Sequence, residues 1–393
     1  MHTSVCCGVT ARTSFACRTF CRKSSGPQQS MGIIFAKHGK GKGKSVSDKR
    51  VMEERKRLDQ LMKAKHGPFT PAGLPLPPKV HQFVAKEEGL CAPPGRVVIV
   101  GDVHGCCDEL LALLDEVGVR PEEDFVILAG DLVNKGPKSV EVIRQARARG
   151  FWAVRGNHDE AALKQYEAHR AGKAVPSRWE WVKEMSVEDA LYLHSLPFTL
   201  ALPFHNVVVV HAGLVPGVRL EKQSLVDMTE MREIVQDGED PDTGRPKWKS
   251  TMEKGFAGDK GLAWACQWTG PTHVVFGHDA KRQFQQCEHA TGLDTGCVYG
   301  GCLAALVLPP ASEITPELRA CPPRDYGTIH TISAFKTYIS TSSPRQANVI
   351  LSNSSFDKED DEQDVFDDVF GVIGRSLSPL SSVPMLAGTV DSR

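Results

Sequence analysis

Five short apolar runs in this 393-residue chain each lead into a glycine or histidine turn that carries Asp, Asn or His. VVIV at 97–100 runs into Gly101-Asp102-Val103-His104-Gly105, FVILA at 125–129 into Gly130-Asp131, and FWAV at 151–154 into Arg155-Gly156-Asn157-His158-Asp159. VVVV at 207–210 runs into His211-Ala212-Gly213, and HVVF at 273–276 into Gly277-His278-Asp279. Taken singly, each has an ordinary reading. Asp102 and His104 could be capping or surface groups, Asp131 could N-cap a helix beginning near Pro137, and His211 or His278 could be a hydrogen-bonded core histidine. Taken together, at five strand ends, they describe a metal centre. Carboxylates, neutral imidazoles and an amide oxygen form a mixed O/N donor set, which suits Mn, Fe, Zn or Co better than calcium alone or a thiolate-bound zinc. Six protein ligands exceed what one catalytic ion with open positions takes. Two ions about 3.5–4 Å apart, sharing a carboxylate, fit better. Such a pair binds an anionic phosphoryl oxygen and lowers the pKa of a bridging water to give a hydroxide nucleophile.

The elements that must position these residues are legible around them. Between the early β-branched runs lie helical patterns: CCDELLALLDEV carries Leu110, Leu111, Leu113 and Leu114 on one side, and KSVEVIRQARA spaces Val140, Ile143 and Ala146 helically. With LAALVL at 303–308 as a last strand, the alternation of strand and helix predicts an α/β architecture with buried sheets. Ligands in such sheets gather outside the carboxyl ends of the strands, and glycine lets backbone and ligand come close there.

The remainder of the chain bounds the reading. The hydrophobic fraction is 41% and the formal net charge is -1, so a real core is expected and global charge points to no partner. No acid precedes Asp48, whereas residues 357–368 carry eight acids and one Lys. Residues 1–30 have the composition of a mitochondrial or plastid transit peptide, a basic cytoplasmic extension being the alternative. GIIFAKHGKGKGKS imitates a phosphate loop but has His38 where the motif needs Gly, so it reads as a solvated linker. A short charged helix is expected over 49–65, followed by a linker punctuated by Pro68, Pro71, Pro75, Pro77 and Pro78. The twelve cysteines show no paired CxxC spacing and read as reduced, intracellular thiols. No apolar run approaches a membrane span. The expected organisation is therefore a basic extension and linker over 1–95, a folded domain over 96–308, and a Ser/Pro-rich, acidic, mostly disordered tail over 309–393. The acidic stretch carries no motif that names a partner.

In their order, GDVHG, GDLVNKGP, RGNHD, HAG and FGHD resemble the calcineurin-like metallophosphoesterases of the phosphoprotein phosphatase superfamily. Pro137, the Asp159 that ends GNHD, HAG in place of HGG, and GLDTGCVYGG at 292–301 resemble the ApaH-like branch, which is related to symmetrical diadenosine-tetraphosphatase. The resemblance spans about residues 96–308. It implies two packed β-sheets flanked by helices, and two divalent ions, Mn foremost with Fe, Zn, Co or Mg as alternatives. It implies that Asp102 and His104 hold the first ion, Asp131 bridges, and Asn157, His211 and His278 hold the second. His158 would then be no ligand but a general acid for the leaving-group oxygen, and Asn157 would also lie against the substrate. Implied substrates are rich in phosphate: diadenosine polyphosphates, inorganic polyphosphate or an RNA cap.

Two positions depart from the related protein phosphatases, whose GDxVDRG has an Asp that orients the catalytic His and an Arg that clamps phosphate. Here they are Asn134 and Lys135, the Lys resembling eukaryotic ApaH-like members. Asn134 cannot hold negative charge against an imidazolium, so the pKa of His158 should be less elevated unless an acid such as Asp159 takes over. Lys135 is a single charge on a flexible stem and grips a terminal phosphate less tightly than Arg. Arg232, Lys281 and Arg282 flank ligand segments; Arg232 is the further substrate-binding candidate, and solvated surface charge is the plain reading of all three. Thr295, Gly296, Gly300 and Gly301 either form a nest of N–H groups near the phosphates or a tight turn into the last strand, with Asp294 and Tyr299 as weaker contacts. A phosphoprotein phosphatase is the competing activity. A metal-bearing scaffold without activity is the third reading, disfavoured by a full ligand set with His158.

Overall fold

The computed structural model describes residues 69–84, 95–252 and 261–340. The transit-like segment, the imitation phosphate loop, the helix expected over 49–65 and the acidic run lie outside these residues. In chain order the elements are β1 (His81–Phe83), β2 (Val97–Val100), α1 (Cys107–Val117), β3 (Phe125–Leu128), α2 (Ser139–Arg149), β4 (Trp152–Ala153) and α3 (Asn157–Arg170). Next come α4 (Val187–Ser195), β5 (Thr199–Leu202), β6 (Val207–Val210), α5 (Leu225–Glu230), β7 (Glu233–Glu239), β8 (Pro246–Ser250) and β9 (Leu262–Ala263). The last are β10 (His273–Phe276), β11 (Gln285–Gln286), β12 (Ala290–Gly292), β13 (Cys302–Leu308), α6 (Pro316–Ala320) and β14 (Thr328–Ser333).

A five-stranded sheet runs β14-β13-β2-β3-β4 and a six-stranded sheet runs β1-β5-β6-β10-β12-β11. Along β2 the side chains alternate between two apolar layers. Val97 and Ile99 face a core that also takes Leu200, Leu202, Val207, Val209 and Val275 from the six-stranded sheet, so the two sheets pack face to face there. Val98 and Val100 face the other way, onto Leu110 and Leu113 of α1 and Val142 and Ile143 of α2. Both faces of β2 are buried, which explains an uninterrupted VVIV where a half-exposed strand would alternate with polar residues. The outer face of the second sheet (Val208, Val210, Val274, Phe276) is covered by Met228, Met231, Ile234 and Trp264.

Strands β2, β3 and β4 are parallel, with Val97 opposite Phe125 and Ile127 opposite Trp152, and α1 and α2 connect them. Each of these helices stops at a left-handed glycine, Gly118 (φ 62) and Gly150 (φ 68), whose N–H returns to the last-turn carbonyls. The parallel order brings the carboxyl ends of all three strands to one edge.

Structure continues outside 96–308. β1 pairs in parallel with β5, and β14 pairs residue for residue with β13 from Cys302↔Ser333 to Val307↔Thr328. The expectation of a mostly disordered tail from 309 therefore gives way over 328–333. The β-branched TIHTIS of β14 supplies a covering strand where Ser/Pro/Thr composition suggested none. The cysteine reading is corrected at one pair: Cys266 and Cys287 form a disulfide with a Cα–Cα distance of 5.2 Å. Cys106, Cys107, Cys297, Cys302 and Cys321 are free thiols. No helix among the described residues is long and apolar enough to cross a membrane.

Candidate metal centre

The six expected ligands all lie at the carboxyl ends of strands from both sheets. Asp102 and His104 follow β2, Asp131 follows β3, Asn157 opens α3 just after β4, His211 follows β6 and His278 follows β10. Asp131 is buried at the middle: its Oδ2 lies 3.5 Å from Nε2 of His104 and its Oδ1 lies 3.4 Å from Nε2 of His211. Two groups of potential ligand atoms share it, His104–Asp131–His158 and Asp131–His211–His278. Asn157 joins the second through its Oδ1, 3.1 Å from Nε2 of His211. Asp102 is tied in from the side, its carboxylate accepting the His278 amide at 3.0 and 3.1 Å.

The backbone is shaped for this convergence. His104 (φ 44), Asp131 (φ 48), Asn134 (φ 73), Lys135 (φ 67) and His278 (φ 67) are all left-handed, a conformation that costs about 1–3 kcal/mol at a non-glycine residue and collects at functional sites. Glycines permit the close approaches. A Cβ on Gly156 would strike the amide and carboxylate of Asp131, and one on Gly277 would strike the carboxylate of Asp102.

The outer partners of the donor set suit it to divalent ions. His104 contacts the Val133 carbonyl through Nδ1 at 3.2 Å, His211 the Ala129 carbonyl through Nδ1 at 3.0 Å, and His278 the Glu230 carbonyl through Nε2 at 3.0 Å. A carbonyl only accepts, so each ring turns a hydrogen there; on His104 and His278 this leaves the other nitrogen bare, and on His211 it leaves the nitrogen on which an ion would replace a proton. That is the arrangement a metal-binding imidazole needs. Charge fits as well. Burial raises the carboxyl of Asp131, yet the imidazoles of His211, His158 and His104 hold it well below the usual range. Burial lowers His211, but Asp131 and Asp102 outweigh it and push the ring up to about 10. Asp102 is pushed well above its ordinary value by burial and by Asp294. His104 falls to about 3 through burial and Lys135, and His278 falls well below the ordinary value through burial and Arg232.

His158 stands apart from the three carbonyl-anchored rings. It is buried, 4.9 Å from the His104 ring, and its Nδ1 faces Nδ2 of Asn134 at 2.9 Å. Burial and Lys135 hold its pKa well below the ordinary histidine value. Asp159 does not take over its orientation. The carboxylate accepts the amides of Gly156 (2.9 Å) and Leu132 (3.0 Å) and so caps α3. Burial and Asp131 push its pKa up to about 7. Asp131 also meets a helix N-terminus, though not the one expected: the His158 amide of α3 donates to it at 2.9 Å, while α2 starts without a side-chain cap.

The substrate candidates separate. Lys135 stays at the centre, its Nζ 3.4 Å from Nε2 of His104 and 5.2 Å from the centroid of the Tyr299 ring. Arg232 lies at the flank, donating to the His278 carbonyl at 2.9 Å with its Nε 3.7 Å from Asp279. Arg282 is committed to Asp279 and Glu233, at 2.7 Å each, and Lys281 is exposed. Residues 292–301 form a turn and not a phosphate nest. The amides of Gly296, Tyr299, Gly300 and Gly301 are consumed by Asp294 Oδ1 and by the carbonyls of Gly296, Cys297 and Gly296 again. Asp294 itself is buried beside Asp102. Sequence reasoning missed Trp179 and Trp181, carried on a 3-10 turn over Ser177–Glu184. The Trp179 ring lies 6.4 Å from that of His158, and the Trp181 indole N–H donates to Oδ1 of Asn134 at 3.4 Å. The WEW triplet was the only signal there, and nothing in its spacing tied it to the GNHD turn.

Comparison with known proteins gives a consistent picture. Residues 95–282 match the profile of the calcineurin-like phosphoesterases. A symmetrical bis(5'-nucleosyl)-tetraphosphatase of Paracidovorax citrulli is 32% identical over 257 residues, covering 53% of this chain and 90% of that protein. An asymmetrical bis(5'-nucleosyl)-tetraphosphatase, PrpE, of Halalkalibacterium halodurans is 28% identical over 241 residues, covering 54% and 89%. The crystal structure of a candidate diadenosine tetraphosphatase superposes with a TM-score of 0.52 at 34% identity, covering 65% of this chain and 99% of that one.

Proposed function

The chain belongs to the calcineurin-like phosphoesterase family, and on that premise we propose a metal-dependent hydrolase that cleaves phosphoanhydride bonds at the centre built on Asp131. The observation that carries this reading is the shared carboxylate: Asp131 belongs to both groups of potential ligands, one oxygen toward His104 and the other toward His211. Asp102 and His104 would hold one divalent ion, Asn157, His211 and His278 the other, and Asp131 both. Mn is the foremost candidate, with Fe, Zn, Co and Mg as alternatives. Bound there, such ions supply Lewis-acid polarisation of a phosphoryl oxygen and a water-derived nucleophile at neutral pH.

The chain's own groups do the remainder. Lys135, beside His104, meets the negative charge of the phosphate chain as a point charge, and Arg232 stands at its far flank. Asn157 would serve both ion and substrate. His158 meets the leaving-group oxygen, because it is the one imidazole of the centre whose second nitrogen is not anchored to a backbone carbonyl. Dinucleoside polyphosphates are the first substrate class, on the strength of what the relatives are named for. Inorganic polyphosphate and capped RNA share the same bond. The catalytic unit is assigned to residues 96–308, and the acid-free N-terminus supports delivery to a mitochondrion or plastid, with the cytoplasm as the alternative.

The test is a substrate panel with full-length protein reconstituted with Mn²⁺ or another divalent ion: diadenosine tetraphosphate, polyphosphate, capped RNA and a phosphoserine peptide. Metal-dependent cleavage of an anhydride at the highest kcat/KM is expected. Faster turnover of the phosphopeptide, or no phosphate release with any ion, overturns the reading.

A further inference from the structure

The groups placed to hold the ions are buried, but the mouth of the centre is not. Asp102, His104, Asp131, His211 and His278 are buried, whereas Asn157, Lys135, Trp181 and Tyr299 are half-buried. The two aromatic residues in that second set adjoin one turn, formed by the successive left-handed residues Asn134 and Lys135 (φ 73 and 67). Lys135 Nζ lies 5.2 Å from the centroid of the Tyr299 ring and 3.4 Å from Nε2 of His104, so an aromatic face steadies the cation beside a ligand. One residue earlier, Oδ1 of Asn134 accepts the Trp181 indole N–H at 3.4 Å. That bond turns the nitrogen-bearing edge of the indole to the centre. Trp179 is buried beside it, with ring centroids 6.1 Å apart and planes inclined by 38°. The helix-side core takes part of Trp181 as well. Packing accounts for the rigidity of this ring. It does not account for a tryptophan that reaches solvent next to a cation at a phosphate site.

We propose that Trp181 is the stacking platform for the terminal nucleobase of a nucleoside polyphosphate, and that with Lys135 it makes the centre select such substrates over inorganic polyphosphate. A nucleoside polyphosphate presents a flat π face tethered to a row of negative charges. Inorganic polyphosphate presents the charges alone. A ring and a cation gathered at one turn match the first and are half unused by the second. Stacking of a base on an aromatic ring contributes about five- to a hundredfold in affinity, and it tolerates any base because every base has a π face. Tyr299 already offers its face to Lys135, which leaves Trp181 for the base. A ring held in advance by Asn134 and Trp179 loses little freedom on binding. The inference rests on the proposed hydrolase reading for the path of the phosphate chain, and on the placement of Trp181 for the base.

Binding and turnover test the two parts separately. Isothermal titration calorimetry of the full-length protein loaded with Mg²⁺ compares methylene-bridged, uncleavable analogues of diadenosine tetraphosphate and of inorganic tetraphosphate. In the wild type the nucleoside analogue should bind about five- to a hundredfold tighter. Trp181→Leu should remove most of that ratio. Trp181→Phe, which keeps a ring but loses the N–H, should retain most of it. An unchanged ratio in Trp181→Leu overturns the platform. So does an equal loss in both variants, which would make Trp181 a support for Asn134 and nothing more. The wild type alone gives a check that no folding defect can obscure: the adenine analogue should bind tighter than its uracil counterpart, because a purine stacks over a larger area. Uracil equal or tighter overturns the proposal. A cap dinucleotide analogue in the same series tells which source of a terminal purine binds tighter. In turnover, kcat/KM for diadenosine tetraphosphate relative to inorganic tetraphosphate should fall in Trp181→Leu by the factor seen in binding, carried by KM. If the wild type cleaves no anhydride while the calorimetric ratios behave as expected, the hydrolase reading falls and the platform stands.

Discussion

At the scale of single residues the centre depends on Asp131 more than on any ligand beside it, because it faces both histidine groups. Asp131→Asn removes one negative charge from a buried set whose only other nearby ligand carboxylate is Asp102. Both ions should weaken, by at least the 10–100-fold that changes in outer-shell partners alone cost, and activity should vanish with them. Mass spectrometry of the purified variant, counting bound metal, checks this; two retained ions would contradict the bridge. His158→Ala should behave differently. Metal content should hold while kcat falls about 10²–10³, the usual worth of one preorganised donor. Equal loss of metal would make His158 a ligand. That these side chains come together was legible before the structure, because Asp, His and Asn beside glycine at five strand ends form a donor set that a plain core or surface does not require. The support of His158 was not legible. Asn134 could be seen to be unsuited to an imidazolium, but the indole that orients it comes from a segment 47 residues away, and sequence spacing carries no such contact. Asp159 looked like the nearest acid to hand and turned out to serve the backbone.

The elements were easiest to read where burial is two-sided. VVVV and HVVF match β6 and β10 residue for residue, since strands buried on both faces are continuous apolar runs. FWAV shrinks to a two-residue strand, Trp152–Ala153. β14 escaped notice since an edge strand with one exposed face has no apolar run to announce it. The junctions between elements are where geometry is tightest. Gly156, at the turn from β4 into α3, has φ -93 and ψ 172, which any residue adopts, so alanine there brings no backbone strain. Its Cβ would nonetheless collide with Asp131. Gly156→Ala should therefore displace the shared carboxylate and lose bound metal with little change in circular dichroism. Full metal occupancy in that variant would mean the turn can give way without moving Asp131.

Across the whole molecule, stability carries a pH signature that does not depend on the metal centre. His273 is buried, its Nε2 paired with the Thr291 hydroxyl at 2.9 Å and its Nδ1 without a hydrogen-bond partner. Burial, then His289 and Arg324, push its pKa from 6.5 down to about 3. Below pH 6.5 the unfolded chain takes up a proton that the folded one refuses, so stability falls as pH drops from 6.5 toward about 3 and is recovered as pH rises. The size is on the order of a few kcal/mol at the acid end, at about 1.4 kcal/mol per unit. Replacing it by Gln should flatten the acid limb of the melting temperature against pH relative to the wild type; an unchanged slope would mean that the ring gains a proton in place. The ligands also span the molecule's two main sheets. Asp102, Asp131 and Asn157 hang from the five-stranded one, His211 and His278 from the six-stranded one. Ions bound there would act as a clasp, and binding to the folded state alone would add about 2.7 kcal/mol of stability at a hundredfold excess over Kd. Chelation should lower the melting temperature and speed proteolysis of the full-length protein. In a living cell the supply of metal would thus govern how long each copy survives turnover, so scarcity would thin the population of the enzyme as well as idle its active sites.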